Sequence, residues 1–354
     1  LLAAGVGLHG RASGWLGSSH DTAFAGLAGL RYLPEARMSV PVRGQMGLDG
    51  EASVNAFLAT NTRNRACSLD ARIKPYRALV RVSTPRFYAR AGLQKINFGS
   101  ATLLRPLMWF DRVDPRDPLE LTDGVYGLLA CYYFQNNTNV WAWGLLGNSS
   151  PKGWEVYGSK RWVPEPGARV QIPVPRGEVA ATYHHRRADL STSPPVPIDE
   201  DRLGLDGKWD VGVGLCVEAV MSRQAGEAAS ADAPWQRMAT VGLDYTLGIV
   251  SRLGVAAEHM VLDNATEAFG SGERVQISAA MLSFPLGLVD NLRGMVYYDW
   301  RNDGLYAFLG WQRTTDNWVF SLSAFANPDR PAAAGRPGAG AAGKGVRFDV
   351  VFNH

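Results

Sequence analysis

The chain lacks any run of about 18 consecutive apolar residues, so no stretch of it reads as a membrane-spanning helix. Charge is scarce as well: Asp, Glu, Lys and Arg make up 19% of 354 residues, against roughly 25% in ordinary soluble proteins. The net charge of +3 and the want of a basic, aromatic-interleaved patch argue against a nucleic-acid partner. Cysteine is limited to Cys67, Cys131 and Cys216, none in a C-x-x-C arrangement, so neither a disulfide framework nor a metal or haem site is expected, and no cofactor. Cys131 and Cys216 fall in strand-like runs, where a free thiol behaves as a small hydrophobe. The opening Leu1-Leu2-Ala3-Ala4-Gly5 carries no basic region and does not read as an export signal, which leaves the compartment open. No Ser/His/Asp set is spaced so that the sequence itself brings its members together, and an enzyme is not expected.

What is present is a rhythm. Hydrophobic residues reach 46%, with 39 glycines and 11 tryptophans. Runs of about ten residues with two-residue periodicity recur, the length of a tilted transmembrane strand. The runs are 6–16, 23–33, 37–48, 75–83, 86–97, 124–134, 139–147, 167–174 and 178–187, then 200–207, 210–221, 235–247, 252–261, 274–286, 291–300, 304–313, 317–326 and 344–353. Tight connections rich in Pro, Gly, Asn and Asp, such as Pro34-Glu35-Ala36, Thr84-Pro85 and Pro175-Arg176-Gly177, alternate with longer ones such as 49–74, 98–123 and 148–166. Short turns on one side and long loops on the other are the habit of outer-membrane barrels. The expected fold is therefore all-β: one transmembrane antiparallel barrel of about 18 strands, with 16 as the alternative. It should span residues 1–354 as one domain, with both termini periplasmic. A soluble sandwich would put its apolar side chains inward, whereas here the polar positions carry many small residues and arginines. Aromatics recur at strand ends: Trp15, Trp235 and Trp300 toward one interface, Tyr133, Trp209 and Trp318 toward the other.

Gly92-Leu93-Gln94-Lys95-Ile96-Asn97-Phe98-Gly99, followed by Asp114-Pro115-Arg116-Asp117-Pro118-Leu119-Glu120-Leu121-Thr122-Asp123-Gly124-Val125-Tyr126, resembles a porin-like family of outer-membrane barrels. Members of that family carry a strand end of the type GRQRINWG and then a loop of the type DPxDPLxLTDGVYG. The segment Pro173–Arg186 is similar to the family's central hairpin. The resemblance implies fold and compartment and is nearly silent on the solute. Leu93 stands where the family usually has arginine, removing one positive charge from the implied pore.

Alternation assigns faces. Apolar positions meet lipid and polar ones the lumen. The basic lumen set is Arg11, Arg31, Arg43, Arg77, Arg81, Arg86 and Arg90; the acidic set on later strands is Glu218, Asp244, Glu258 and Asp299, together with Arg293. Opposed walls of that kind make a transverse field that filters by charge. The alternative is that each arginine pairs with a neighbouring carboxylate in a packed interior. Loop 98–123 holds Asp111, Asp114, Asp117, Glu120 and Asp123 beside Leu103, Leu104, Leu107, Met108, Trp109 and Phe110. So apolar a loop is costly in water, and it is expected either to fold into the lumen as a constriction or to cap the rim. His184 and His185 fall on opposite faces of a strand and cannot chelate one ion together.

These features favour a channel for passive diffusion of small hydrophilic, anionic solutes. The runner-up is a plugged structural barrel anchoring a larger surface assembly. Expected partners are the lipid bilayer with its lipopolysaccharide, small solutes and, for the runner-up, other envelope proteins.

Overall fold

The computed structural model describes residues 5–354 apart from 22, 43, 64–65, 115, 191–195, 227–232, 249–251 and 329–342. Eighteen strands form one antiparallel sheet in which each strand pairs with its sequence neighbours. The sheet closes where β1 (Gly5–His20) meets β18 (Lys344–Asn353), in register from Arg11 opposite Asn353 to His20 opposite Lys344. Closure removes both sheet edges, and each strand has a paired neighbour on either side, although β4 runs on past β5, which pairs only with its residues 78–83.

Between these come β2 (Phe24–Pro41), β3 (Gly47–Arg63), β4 (Ala66–Ser83), β5 (Phe87–Gln94), β6 (Val125–Tyr133), β7 (Asn139–Leu145), β8 (Glu165–Val174) and β9 (Gly177–Leu190). The second half holds β10 (Val196–Asp210), β11 (Gly214–Ala225), β12 (Trp235–Leu247), β13 (Leu253–Ala265), β14 (Glu273–Leu286), β15 (Asp290–Asp299), β16 (Gly304–Thr314) and β17 (Trp318–Ala326). An 18-strand barrel is wide enough to enclose a lumen that wall side chains alone do not fill. Compact turns such as 84–86, 175–176 and 287–289 lie at the end where β1 begins and β18 finishes. The long connections 95–124 and 146–164 lie at the other end.

Burial runs opposite to that of a soluble protein. Leu203 and Leu205 on β10, Val241 and Leu243 on β12, and Leu305 and Leu309 on β16 are exposed on the outer face. Their inward neighbours Glu200, Arg202, Thr240 and Glu218 are buried. At about 25 cal/mol per Å², an outer face of this composition is stable against hydrocarbon and not against water.

The strand total agrees with the pattern of the sequence, but the first hairpins do not. Pro34-Glu35-Ala36 is no turn: it lies within β2, where Pro34 faces Gly10 across the β1 ladder. On its other side the β2–β3 ladder skips from Tyr32–Ala56 to Glu35–Ser53, and β3 shifts register at Ser53/Val54. That irregularity accommodates a residue with no N–H to donate. Residues 49–74 are likewise no loop, but most of β3 and the first half of β4. The first four strands are 16, 18, 17 and 18 residues long, well beyond the roughly 9–11 needed to cross hydrocarbon. Their far ends are wet on both faces and lose the alternation that marks a strand. Trp15, expected at an interface, points inward and is buried. All three cysteines are free thiols, Cys131 and Cys216 buried and Cys67 exposed.

Candidate functional site

β5 stops at Gln94, and the chain enters the barrel instead of crossing its rim. Ile96, Phe98, Leu103, Leu104, Leu107, Trp109 and Phe110 are almost wholly buried in one cluster with Leu129, Trp143 and Leu145 of β6–β7 and Val220, Met238, Met260 and Ile277 of β11–β14. Phe98 stacks on Trp143 at 5.7 Å and meets Trp109 edge-on at 5.6 Å. Of the two places open to so apolar a loop, the interior is the one occupied.

Two wall carboxylates hold its first half. Glu218 on β11 accepts the N–H groups of Ala101 (2.7 Å) and Leu107 (3.0 Å). Glu258 on β13 accepts those of Thr102 (2.7 Å), Leu103 (3.0 Å) and Leu104 (2.6 Å). Three successive amides turned on one carboxylate make an anion-binding nest. The second half leans on the opposite wall, where Arg77 donates to the Thr122 carbonyl at 3.1 Å and Lys74 pairs with Asp123 at 2.7 Å.

The loop acids are mostly engaged. Asp111 pairs with Arg105 at 2.8 Å. Asp114 pairs with Arg116 at 2.8 Å, and although burial pushes its carboxyl up, the Arg116 guanidinium outweighs this and holds it below the usual carboxylate range. Asp117 accepts the Leu119 and Leu121 amides within the loop. Glu120 sits at a left-handed turn, φ 45°.

The connection 146–164 also bends inward and locks onto the first loop. Trp154 Nε1 donates to the Arg105 carbonyl at 2.8 Å, and Arg112 Nε to that of Gly153 at 3.0 Å. Gly153 has φ +46°, and a Cβ there would overlap the Met108 carbonyl oxygen, so the closest approach of the two loops requires glycine. Beneath them is a buried charge cluster. Arg186 pairs with Glu155 and Glu200, Arg202 with the same two, and Lys152 with Glu155 and Glu165. Nothing in the sequence reading singled this cluster out. Its one signal was the inward parity of Thr182, His184 and Arg186 on β9 and of Glu200 and Arg202 on β10. His184 is completely buried beside Trp143 and Phe110, while His185 faces outward to Asp201 at 2.9 Å.

The expected arginines separate into groups. Arg43 lies outside the described residues. Arg86 is in the 84–86 turn, off the strand that alternation gave it, and its carbonyl accepts the Tyr133 amide. Arg77 is buried and bound to the loop. Arg11, Arg31, Arg81 and Arg90 lie on the inward face, with Arg81 directly opposite Arg90. Aromatic rings lie beside three of them: Trp15 and Phe57 for Arg31, and Tyr88 for both Arg81 and Arg90. None of those three forms a salt bridge among the described residues. Arg347 of β18 extends this side of the lumen, over the Trp15 ring and paired with Asp349 at 2.6 Å.

The expected acidic wall is not a free wall. Glu218 and Glu258 are consumed by the loop, and Asp299 accepts the amides of Arg301 and Asn302 as a cap on the 300–303 connection. Asp244 alone is exposed, near the compact-turn end of β12. A gap of about 340 Å³ remains between loop residues Asp114, Arg116, Asp117 and Pro118 and the wall carrying Ser18, Phe308, Phe325 and Arg347.

No protein-family model and no curated protein sequence matches the chain. Solved structures do. OccK5 (OpdH) of Pseudomonas aeruginosa is 10% identical, covering 99% of this chain and 97% of its own, with a TM-score of 0.59. OccAB3 of Acinetobacter baumannii is 8% identical, covering 99% of each chain, with a TM-score of 0.58. A loop-deleted OmpT, an outer membrane protein of Vibrio cholerae, is 11% identical, covering 99% of this chain and all of its own, with a TM-score of 0.51. The likeness is one of fold: the chain is a closed 18-strand antiparallel barrel of the outer-membrane porin type.

Proposed function

We propose that this chain is an outer-membrane channel for small hydrophilic solutes, with a preference for anions. The observation that carries the reading is an asymmetry of commitment. Most inward carboxylates are taken up by loop amides, turn caps and arginine partners, exposed Asp244 excepted, while Arg31, Arg81 and Arg90 meet aromatic rings and, among the described residues, no carboxylate at bonding distance. A guanidinium stays charged at any ordinary pH, so water and mobile anions complete its shell. The two inward loops narrow the lumen, and this reading takes the solute through the gap of about 340 Å³ between loop 95–124 and the β16–β18 and β1–β2 wall. The outer-membrane setting rests on the apolar exterior and on the barrels it resembles, and the short turns would then face the periplasm together with both termini.

A second reading has its own observation. The loops build a hydrophobic and ionic core inside the barrel, as a plugged barrel anchoring a surface assembly would. Purified protein in a planar bilayer under a salt gradient separates the two. The channel gives discrete conductance steps and an anion-side reversal potential. Silence at all voltages favours the plug, and a cation-side reversal overturns the anion preference.

A further inference from the structure

At the long-loop end, a second cavity of about 390 Å³ opens between residues 154–157 and the inward faces of β9–β13. That volume is at the lower end of small-molecule sites, which run about 300–1,000 Å³. Its floor holds Arg186, Arg202, Glu155 and Glu200, two of each sign, each arginine paired with both carboxylates. A charged ligand would have to break one of these buried pairs, which is strongly unfavourable.

Above the floor the chemistry changes to neutral hydrogen-bonding groups. Ser222, Gln236 and Asn264 stand opposite one another on β11, β12 and β13 and form one cross-strand row. Gln224 stands in the next row, opposite Glu200. Gln224 Nε2 donates to Glu200 at 3.1 Å, and Gln236 Nε2 to Asn264 Oδ1 at 3.2 Å. That leaves the Gln224 and Gln236 side-chain carbonyls, the Asn264 amide N–H groups and the Ser222 hydroxyl with no partner among the described residues. Donors and acceptors thus occur side by side, and none is ionised. Half-buried Trp154 supplies aromatic surface to the same cavity, with an edge of the buried Trp109 at its base.

We propose that this cavity binds a neutral polyhydroxylated solute of mono- to disaccharide size. A pyranose has C–H faces that pack on indole rings and equatorial hydroxyls that both donate and accept. Its lack of charge leaves the ionic floor intact. The cavity lies on the long-loop side of the Trp109 cluster, so it captures solute before the narrow part of the lumen. This adds a capture site to the channel reading, but binding is measured without conduction, so either can fail alone.

The test is calorimetric titration of the full-length barrel in a polyoxyethylene detergent, because sugar-headed detergents would compete. The probes are maltose, glucose, succinate and alanine. Saturable heat is expected from maltose or glucose and none from succinate or alanine. Gln236→Ala with Asn264→Ala should weaken saccharide binding about tenfold or more, the loss of one or two neutral hydrogen bonds. Ser222→Leu should abolish binding by filling the cavity, and it stands in if the double variant fails to fold, as judged by heat-modifiable mobility. No saccharide heat, undiminished binding in a folded variant, or variant-sensitive binding of succinate or alanine in place of saccharide would each overturn the proposal.

Discussion

Leu104 donates its amide to the carboxylate of Glu258 at 2.6 Å, across 154 residues of chain and the width of a sheet wall. Thr102 and Leu103 converge on the same group, and Glu218 takes Ala101 and Leu107 alongside. These five bonds keep the loop inside the barrel at the point where its backbone has no ladder of its own. A hydrogen bond contributes about 0.5–1.5 kcal/mol net, and the five act together. Glu218→Ala with Glu258→Ala should leave a folded barrel whose loop amides 101–104 lose hydrogen-exchange protection. In the channel reading its single-channel conductance also rises. Retained protection would show that the apolar cluster alone seats the loop.

Gly153 marks where the two inward loops touch. A side chain there meets the left-handed backbone cost of about 1–2 kcal/mol, in addition to the overlap with the Met108 carbonyl. Gly153→Ala should therefore separate loop 146–164 from loop 95–124 without disturbing the sheet. Limited proteolysis of the folded variant should give new cuts within 146–164. An unchanged cut pattern would mean that the Trp154 and Arg112 bonds suffice.

From β5 onward the strands were legible because the alternation of apolar and polar residues persists where one face meets hydrocarbon. It failed in β2–β4 for two physical reasons. Pro34 carries the chemistry of a turn but sits at a ladder irregularity. The segment around Asn61, Thr62 and Arg63 extends a sheet where both faces are wet. That the loop is buried could be read from Leu103 to Phe110, but not whether it is buried in the lumen or on the rim. Its partners could not be read, because Glu218 and Glu258 reach it only through closure of the sheet. For the same reason Arg77 looked like a free wall charge when it is a loop tether.

The thiols provide a check on the faces. Cys131 and Cys216 are buried at inward positions of β6 and β11, and Cys67 is exposed near the start of β4. A bulky maleimide should label only Cys67 in the folded barrel and all three after denaturation, read by intact mass without reductant. Labelling of Cys131 or Cys216 in the folded state would mean that the inward packing around them opens.

Arg81 and Arg90 stand directly opposite each other on β4 and β5, with the Tyr88 ring 5.0 Å and 5.4 Å from their guanidinium carbons. Like charges facing across a ladder destabilise a sheet, and a structural purpose would be served better by neutral residues. Their presence makes sense if the pair attracts anions into the lumen. Arg81→Gln with Arg90→Gln removes both charges while keeping length and hydrogen-bonding capacity. In a tenfold salt gradient the reversal potential should move toward the cation side, with conductance retained. Arg86→Gln is the control: it lies in the turn and should shift selectivity less than either wall arginine. Arg77→Gln should behave differently again, since Arg77 is buried on the Thr122 carbonyl. Its loss leaves a backbone acceptor unpaired, at about 1–3 kcal/mol, and should change conductance more than selectivity. If Arg86→Gln shifts the reversal potential as far as the wall pair, selectivity is set at the turn end of the barrel, not along the β4–β5 wall.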